Sequence, residues 1–211
     1  MNLKALFTII LISLLFLSCD SWLGVRITDE QQCEQLLKGL DKVITHEMQI
    51  SEITLISAER KLTEIMGSAN IIYTTSNTEK FRIMTVDLSS WKVLRDKETN
   101  TTNKTTVKSI SNFGFSRIPS VIVQASTMID KQNMELRGVE TFRIKFVTET
   151  DADYEFDVYV KLKTTACKSQ KIGGTRKSPR YRTSCYCSKV PFSVKNGEMK
   201  QWKGGKFQWV W

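Results

Sequence analysis

Thr28-Asp-Glu-Gln-Gln-Cys-Glu-Gln-Leu-Leu-Lys-Gly-Leu40, with the residues that follow as far as Gly67, is the stretch whose reading decides the fold. Thr28 is placed to cap free amides at a helix start, and Gln31, three residues on, completes a capping box. Asp29 and Glu30 in the first turn suit the helix dipole. Apolar positions follow at Cys33, Leu36, Leu37, Leu40, Val43, Ile44 and Met48, then at Leu55, Ala58, Leu62, Ile65 and Met66, which is helical spacing. Gly67 is a natural stop. The expectation is one long helix over 28–66. A break is allowed at 49–54, where the pattern weakens and branched residues gather. Its apolar stripe is expected to face a core, and His46, the single histidine, its surface.

After Gly67 the texture changes to β-branched and aromatic runs. Residues 71–75, 81–88 and 91–94 read as strands, with Ser76-Asn-Thr78 as turn chemistry. Residues 97–106 are polar and read as a loop or hairpin tip; Asn100-Thr-Thr and Asn103-Lys-Thr match the glycosylation acceptor pattern. Residues 107–115 and 120–129 read as strands, and Asp130-Lys-Gln-Asn133 as a turn. The clearest hairpin sets Val139-Glu-Thr-Phe-Arg-Ile-Lys-Phe-Val147 against Tyr154-Glu-Phe-Asp-Val-Tyr-Val-Lys-Leu162. Phe142, Ile144 and Phe146 share one face while Arg143 and Lys145 take the other, so one face is buried and one is wet. Residues 168–180 read as a basic, glycine-containing loop and 182–194 as a strand. Residues 199–211 read as a closing hairpin turning at Gly204-Gly205.

The N-terminus carries a different signal. Lys4 precedes an apolar run over 5–17, which is too short for a bilayer core that needs roughly 20 apolar residues. A charged start, a short apolar middle and a small residue, Ser18, make an export signal rather than a fold element. Phe16-Leu-Ser-Cys19 resembles the lipobox of bacterial lipoproteins, with Phe16 where that family usually carries Leu. The resemblance covers the signal alone. It implies cleavage before Cys19, acylation of Cys19 by palmitate-type chains, and a membrane anchor in the cell envelope, facing periplasm or exterior.

Net charge is +9, unevenly placed. Residues 161–211 hold thirteen Lys or Arg against Glu198 alone, a balance of +12, which leaves −3 for 1–160. Such asymmetry points to an anionic partner for the last quarter. An exported protein meets little nucleic acid, so anionic lipid, an acidic glycan or an acidic protein are the expected partners. The candidate contacts are Lys168, Lys171, Arg176, Lys177, Arg180 and Arg182, with Trp202, Trp209 and Trp211 as aromatic contacts. For Phe207, Trp209 and Trp211, burial on a closing strand is the competing reading.

Cys33, Cys167, Cys185 and Cys187 remain beyond Cys19, and an oxidising compartment favours disulfides. The expectation is that one of Cys185 and Cys187 pairs with Cys167 and the other with Cys33. A zinc site is the alternative, but the spacing matches no common zinc pattern. One histidine rules out a multi-histidine metal centre, no serine is marked as its triad partner, and no phosphate loop is present. No cofactor, metal or catalytic residue is therefore assigned.

The reading that results is an α+β protein: a long N-terminal helix packed on a mainly antiparallel sheet, resembling the cystatin-like or nuclear-transport-factor-like layout by analogy. Residues 1–18 are assigned as signal peptide, 19–27 as lipidated tether and 28–165 as the α+β domain. Residues 166–211 are assigned as a basic, Cys- and Trp-containing C-terminal segment of the same domain. Expected function is a non-catalytic binding or interaction lipoprotein of the bacterial cell envelope, with an immunity or inhibitor protein as its narrower form. The rivals are an envelope hydrolase using paired carboxylates and a secreted eukaryotic glycoprotein.

Overall fold

The computed structural model describes residues 24–58, 62–75, 80–101, 105–174 and 179–210. Asp29, not Thr28, caps the first helix: its carboxylate accepts from Gln32 N at 3.0 Å. Thr28 instead donates to Glu64 Oε2 at 2.7 Å. The helix, α1, runs only over Glu30–Leu40 and buries Cys33, Leu36 and Leu40. The remainder of the expected long helix is two strands, β2 (Met48–Ser57) and β3 (Ile65–Thr75), and His46 lies exposed in the turn before β2. The branched run Ile50, Ile53, Thr54, Ile56 has rotamer reasons to prefer a strand. Pairing settles it, because β2 is antiparallel to both β3 and β6 (Met134–Phe146) and so has a partner on each edge.

The architecture is mostly β, correcting the α+β expectation of a long helix lying across a sheet. Among the described residues, eleven strands form one antiparallel array curled into a half-barrel. Besides β2 and β3 these are β1 (Val25–Arg26), β4 (Arg82–Asp87), β5 (Lys92–Glu98), β6 (Met134–Phe146), β7 (Ala152–Leu162), β8 (Lys168–Gly174), β9 (Pro179–Lys195), β10 (Glu198–Gln201) and β11 (Gln208–Val210). The main order is β10-β9-β7-β6-β2-β3-β4-β5, with β1 on β3 and both β8 and β11 on β9.

The second helix, α2 (Arg117–Asp130), replaces the strand expected at 120–129. Val121, Ile122, Ala125 and Ile129 are buried at helical spacing, whereas Val123, which the alternating pattern would bury, is 62% exposed. Pro119 sits in the first turn, where its missing N–H costs nothing. Of the strand expected at 107–115 only Val107 pairs, with Ile50, and Ile110, Phe113 and Phe115 fill the core from turns.

Both helices bury their apolar faces in one core with the inner face of the sheet. Its spine crosses four strands in register: Leu55, Phe142, Phe156 and Phe192. Phe142 and Phe156 stack at 5.2 Å between centroids, and Phe156 and Phe192 at 5.3 Å. Each such ring, fully buried, contributes about 1.5–3 kcal/mol of transfer free energy.

The end of the chain also differs from the sequence expectation. β10 and β11 do not pair with each other; both pair with β9. Between them Trp202 N donates to Pro191 O and Gly205 N to Lys189 O, each at 2.9 Å, so 198–210 runs back along β9 as one interrupted return strand. The turn is at Asn196-Gly197, with φ of 50° and 78°, the left-handed pair that a two-residue hairpin needs.

Candidate functional site: a basic and aromatic face on the C-terminal strands

β9 is 17 residues long, and only its second half belongs to the main sheet. Residues Ser188 to Val194 pair with β7, while the first half runs past the end of β7 and is met by β8 and then β11. The stretch read as a basic loop is therefore a hairpin arm. Cys167 and Cys185 form a disulfide at its base, with Cα atoms 4.3 Å apart.

Side chains alternate along β9. Cys185 and Cys187 are wholly buried, in a small second cluster with Tyr159 and Val210 against which Leu62 and Cys167 pack. This cluster, distinct from the main core, holds the arm to the outer face of the sheet. Tyr159 Oη donates to Glu140 Oε1 at 2.9 Å. Lys189 Nζ pairs with Glu140 Oε2 at 2.6 Å and with Asp157 Oδ2 at 3.0 Å. Burial and the adjacent Glu140 push the Tyr159 hydroxyl up to about 12. Burial alone would lower the Lys189 pKa, but its hydrogen bonds to Glu140 and Asp157 outweigh that and raise it.

The opposite side of β9 carries Arg180, Arg182, Ser184 and Tyr186, then Val190, Phe192 and Val194. The last three line the main core. Past Ser188 the same side is uncovered, and Tyr186 is 39% exposed. Register places Trp209 of β11 directly opposite Tyr186, and Lys168 of β8 opposite Ser184. Tyr186 stacks on Phe207 and lies against Trp209, each at 5.7 Å. Lys168 Nζ sits 4.7 Å from the Trp209 ring centroid, a cation–π contact. Three aromatic rings and three cations thus share one exposed face.

The structure separates some candidates and joins others. Lys168, Arg180 and Arg182 belong to this face with Trp209. Lys171 pairs in register with Tyr181 on the other side of the hairpin. Trp202 lies apart, donating from Nε1 to Ser193 Oγ at 3.2 Å with Lys200 Nζ 4.2 Å from its ring centroid. Arg176, Lys177, Trp211 and the lipidation candidate Cys19 lie outside the described residues. Ile172 at the hairpin tip, 54% exposed, escaped the sequence reading because a lone isoleucine in a basic run carries no periodic signal.

The expected link from Cys33 to Cys185 or Cys187 does not form. Cys33 and Cys187 are free and buried. Cys33 lies in the main core against the carbonyl of Ile27, 3.5 Å away, while Cys187 lies in the second cluster. The sheet stands between them. Burial pushes the Cys33 thiol up to about 12, with Asp29 and Glu30 adding to the shift, and the Cys187 thiol up to about 11. Neither is a ready nucleophile.

A groove of about 520 Å³ crosses the outer face of the main sheet, lined among others by Arg143, Glu155, Asp157, Lys195 and Trp202. Glu155 and Asp157 are the one pair of acids here that a hydrolase could use. Glu155 is held by Lys145 at 2.7 Å and Arg143 at 3.3 Å, and Arg143 also reaches Glu52 at 3.1 Å. Burial opposes ionisation of Glu155, but those cations prevail and its pKa is lowered. Asp157 is paired with Lys189. A general acid needs the reverse, a carboxyl kept protonated by its surroundings. Among the described residues no cluster of His, Cys, Asp and Glu could hold a metal ion.

No protein-family model matches the chain. No curated protein matches it in sequence. Among solved structures it is similar to one described as a "putative lipoprotein" from Clostridium difficile 630, at 10% identity and a TM-score of 0.35, over 83% of this chain and 90% of that one.

Proposed function

We propose that this protein is a lipid-anchored, non-catalytic binding protein of the bacterial cell envelope, and that the exposed face of β8, β9 and β11 is its contact surface for an anionic partner. The anchor rests on Phe16-Leu-Ser-Cys19 and the export signal before it. The observation that carries the contact surface is the convergence of Lys168, Arg180 and Arg182 with Tyr186, Phe207 and Trp209. An immunity or inhibitor protein is the narrower form, in which the partner is an acidic protein.

Two measurements test this. Labelled palmitate enters the wild type and not Cys19→Ala; equal labelling of both, or none in either, removes the anchor. On an immobilised polyanion, the variant carrying Lys168→Gln, Arg180→Gln and Arg182→Gln elutes at lower salt than the wild type. Elution at the same salt removes the surface.

A further inference from the structure

We propose that the groove on the outer face of the main sheet is a binding site for a neutral oligosaccharide, with Trp202 as the platform for a sugar ring. The site is separate from the arm, and the inference needs neither the arm's partner nor the lipid anchor.

Register builds the floor. Outward side chains of β6, β7 and β9 fall into two rows, Thr141–Asp157–Pro191 and Arg143–Glu155–Ser193. Lys200 of β10 pairs with Ser193 and extends the second row. Trp202 N donates to Pro191 O at 2.9 Å, so Trp202 ends the first. At about 4.8 Å between strands, the rows run roughly 14 Å from β6 to the return strand. The groove's volume of about 520 Å³ is that of a small-molecule site, which takes about 300–1,000 Å³.

Three observations carry the choice of ligand. The first is Trp202 itself. It packs in neither apolar cluster and is 49% exposed, so core formation does not explain an indole here. The ring is nevertheless held: Nε1 donates to Ser193 Oγ at 3.2 Å, and Lys200 Nζ stands 4.2 Å from its centroid. An indole fixed in advance loses little rotamer freedom on binding. The C–H face of a pyranose packs on such a ring while its hydroxyls project to the sides.

The second is charge. The groove is lined by two cations, Arg143 and Lys195, and two carboxylates, Glu155 and Asp157. Both acids are ion-paired, Glu155 with Lys145 and Arg143, and Asp157 with Lys189. The last quarter of the chain is strongly cationic, but this balanced floor favours neither an anion nor a cation.

The third is the kind of polar group. A sugar hydroxyl both donates and accepts. Carboxylates accept, guanidinium and ammonium groups donate, and the Thr141 and Ser193 hydroxyls do either. A carboxylate has about four acceptor positions, so the ion pairs on Glu155 and Asp157 leave room for hydroxyl donors. Hydrogen bonds to ionised groups are also the stronger ones. The pairing that makes these acids poor general acids makes them good acceptors for a bound sugar.

The test is isothermal titration calorimetry of the purified protein with three neutral probes, maltohexaose, cellohexaose and chitohexaose. At least one is expected to bind with a Kd below about 1 mM. Its affinity is expected to change less than about twofold between low salt and about 1 M salt. Trp202→Ala is expected to weaken binding about tenfold or more, and Trp202→Phe, which keeps a ring, by less. Ser193→Ala, which frees the indole, is expected to weaken it a few-fold, and Trp209→Ala on the arm to leave it unchanged. Trp202 is half exposed, so these variants are expected to melt with the wild type. No binding of any probe at about 10 mM overturns the proposal. So does equal affinity in wild type and both Trp202 variants, or a loss caused by Trp209→Ala and not by Trp202→Ala, which moves the sugar to the arm. Binding of polygalacturonate alone, abolished by salt, also overturns it and assigns the protein an acidic glycan instead.

Discussion

Phe192→Ala separates a C-terminal segment that merely hangs from the domain from one that completes its core. Phe192 is 2% exposed and pairs in register with Phe156, the rings stacked at 5.3 Å. Truncating a buried phenylalanine costs about 3–5 kcal/mol, part transfer and part cavity. For a protein of this size each kcal/mol lowers Tm by about 2–4 °C, so the drop is roughly 6–20 °C. Phe156→Ala belongs in the same range, since Phe156 also stacks on Phe142 at 5.2 Å. Because the two rings touch, the double variant costs less than the sum of the singles, with a coupling of about 0.5–1.5 kcal/mol. The assay is urea unfolding followed by both circular dichroism and tryptophan fluorescence, with the slope fixed by the wild type. The two probes are expected to report one transition. A cost below about 1 kcal/mol for Phe192→Ala, strict additivity, or a separate early transition would show that β9 is not part of the central sheet.

Two further predictions concern the buried groups. In denaturant without reductant, alkylation of the mature chain modifies Cys33 and Cys187 and leaves Cys167 and Cys185 untouched, whereas the native protein at neutral pH is barely modified; mass spectrometry reads both, and four protected cysteines would refute the disulfide assignment. The Tyr159 pKa is raised in the folded state from 10.0 to about 12, so its contribution to stability is complete below pH 10 and is lost as pH rises towards 12. Tyr159→Phe therefore weakens the alkaline fall in stability measured by urea melts between those limits, leaving the part due to Cys33, Cys187, Tyr73 and Tyr154, whose pKa values burial also raises, and an unchanged alkaline limb would refute the burial of that hydroxyl.

Local patterns held wherever the deciding contacts were local. The alternation of Phe142, Ile144 and Phe146 with Arg143 and Lys145 specifies a strand with one wet face, and that is how β6 and β7 sit. Cys33, Leu36 and Leu40 specify the inner stripe of α1, and the excess of cations after residue 160 marks the arm that carries the candidate face. Asn196-Gly197 carries a strong two-residue hairpin signal, and it, rather than the expected Gly204-Gly205, is the turn that sends the chain back along β9.

Other segments are ambiguous by nature. Residues 48–57 satisfy helical spacing through Met48 and Leu55, and strand propensity through Ile50, Ile53, Thr54 and Ile56. Residues 120–129 alternate as a strand should and also present Val121, Ile122, Ala125 and Ile129 as a helix should. A short apolar run fits both periods, and only the partner on offer separates them. For β2 the partners are β3, just after it in the chain, and β6, some ninety residues on. The same holds for the site. Sequence alone determined that the last quarter is cationic and rich in aromatics, because composition is a property of the chain. Which cations stand beside which rings was decided by the register of β8 and β11 on β9. That the face is bare was decided by β9 outrunning β7 and the helices, since exposure is set by what packs above a residue and not by the residue itself.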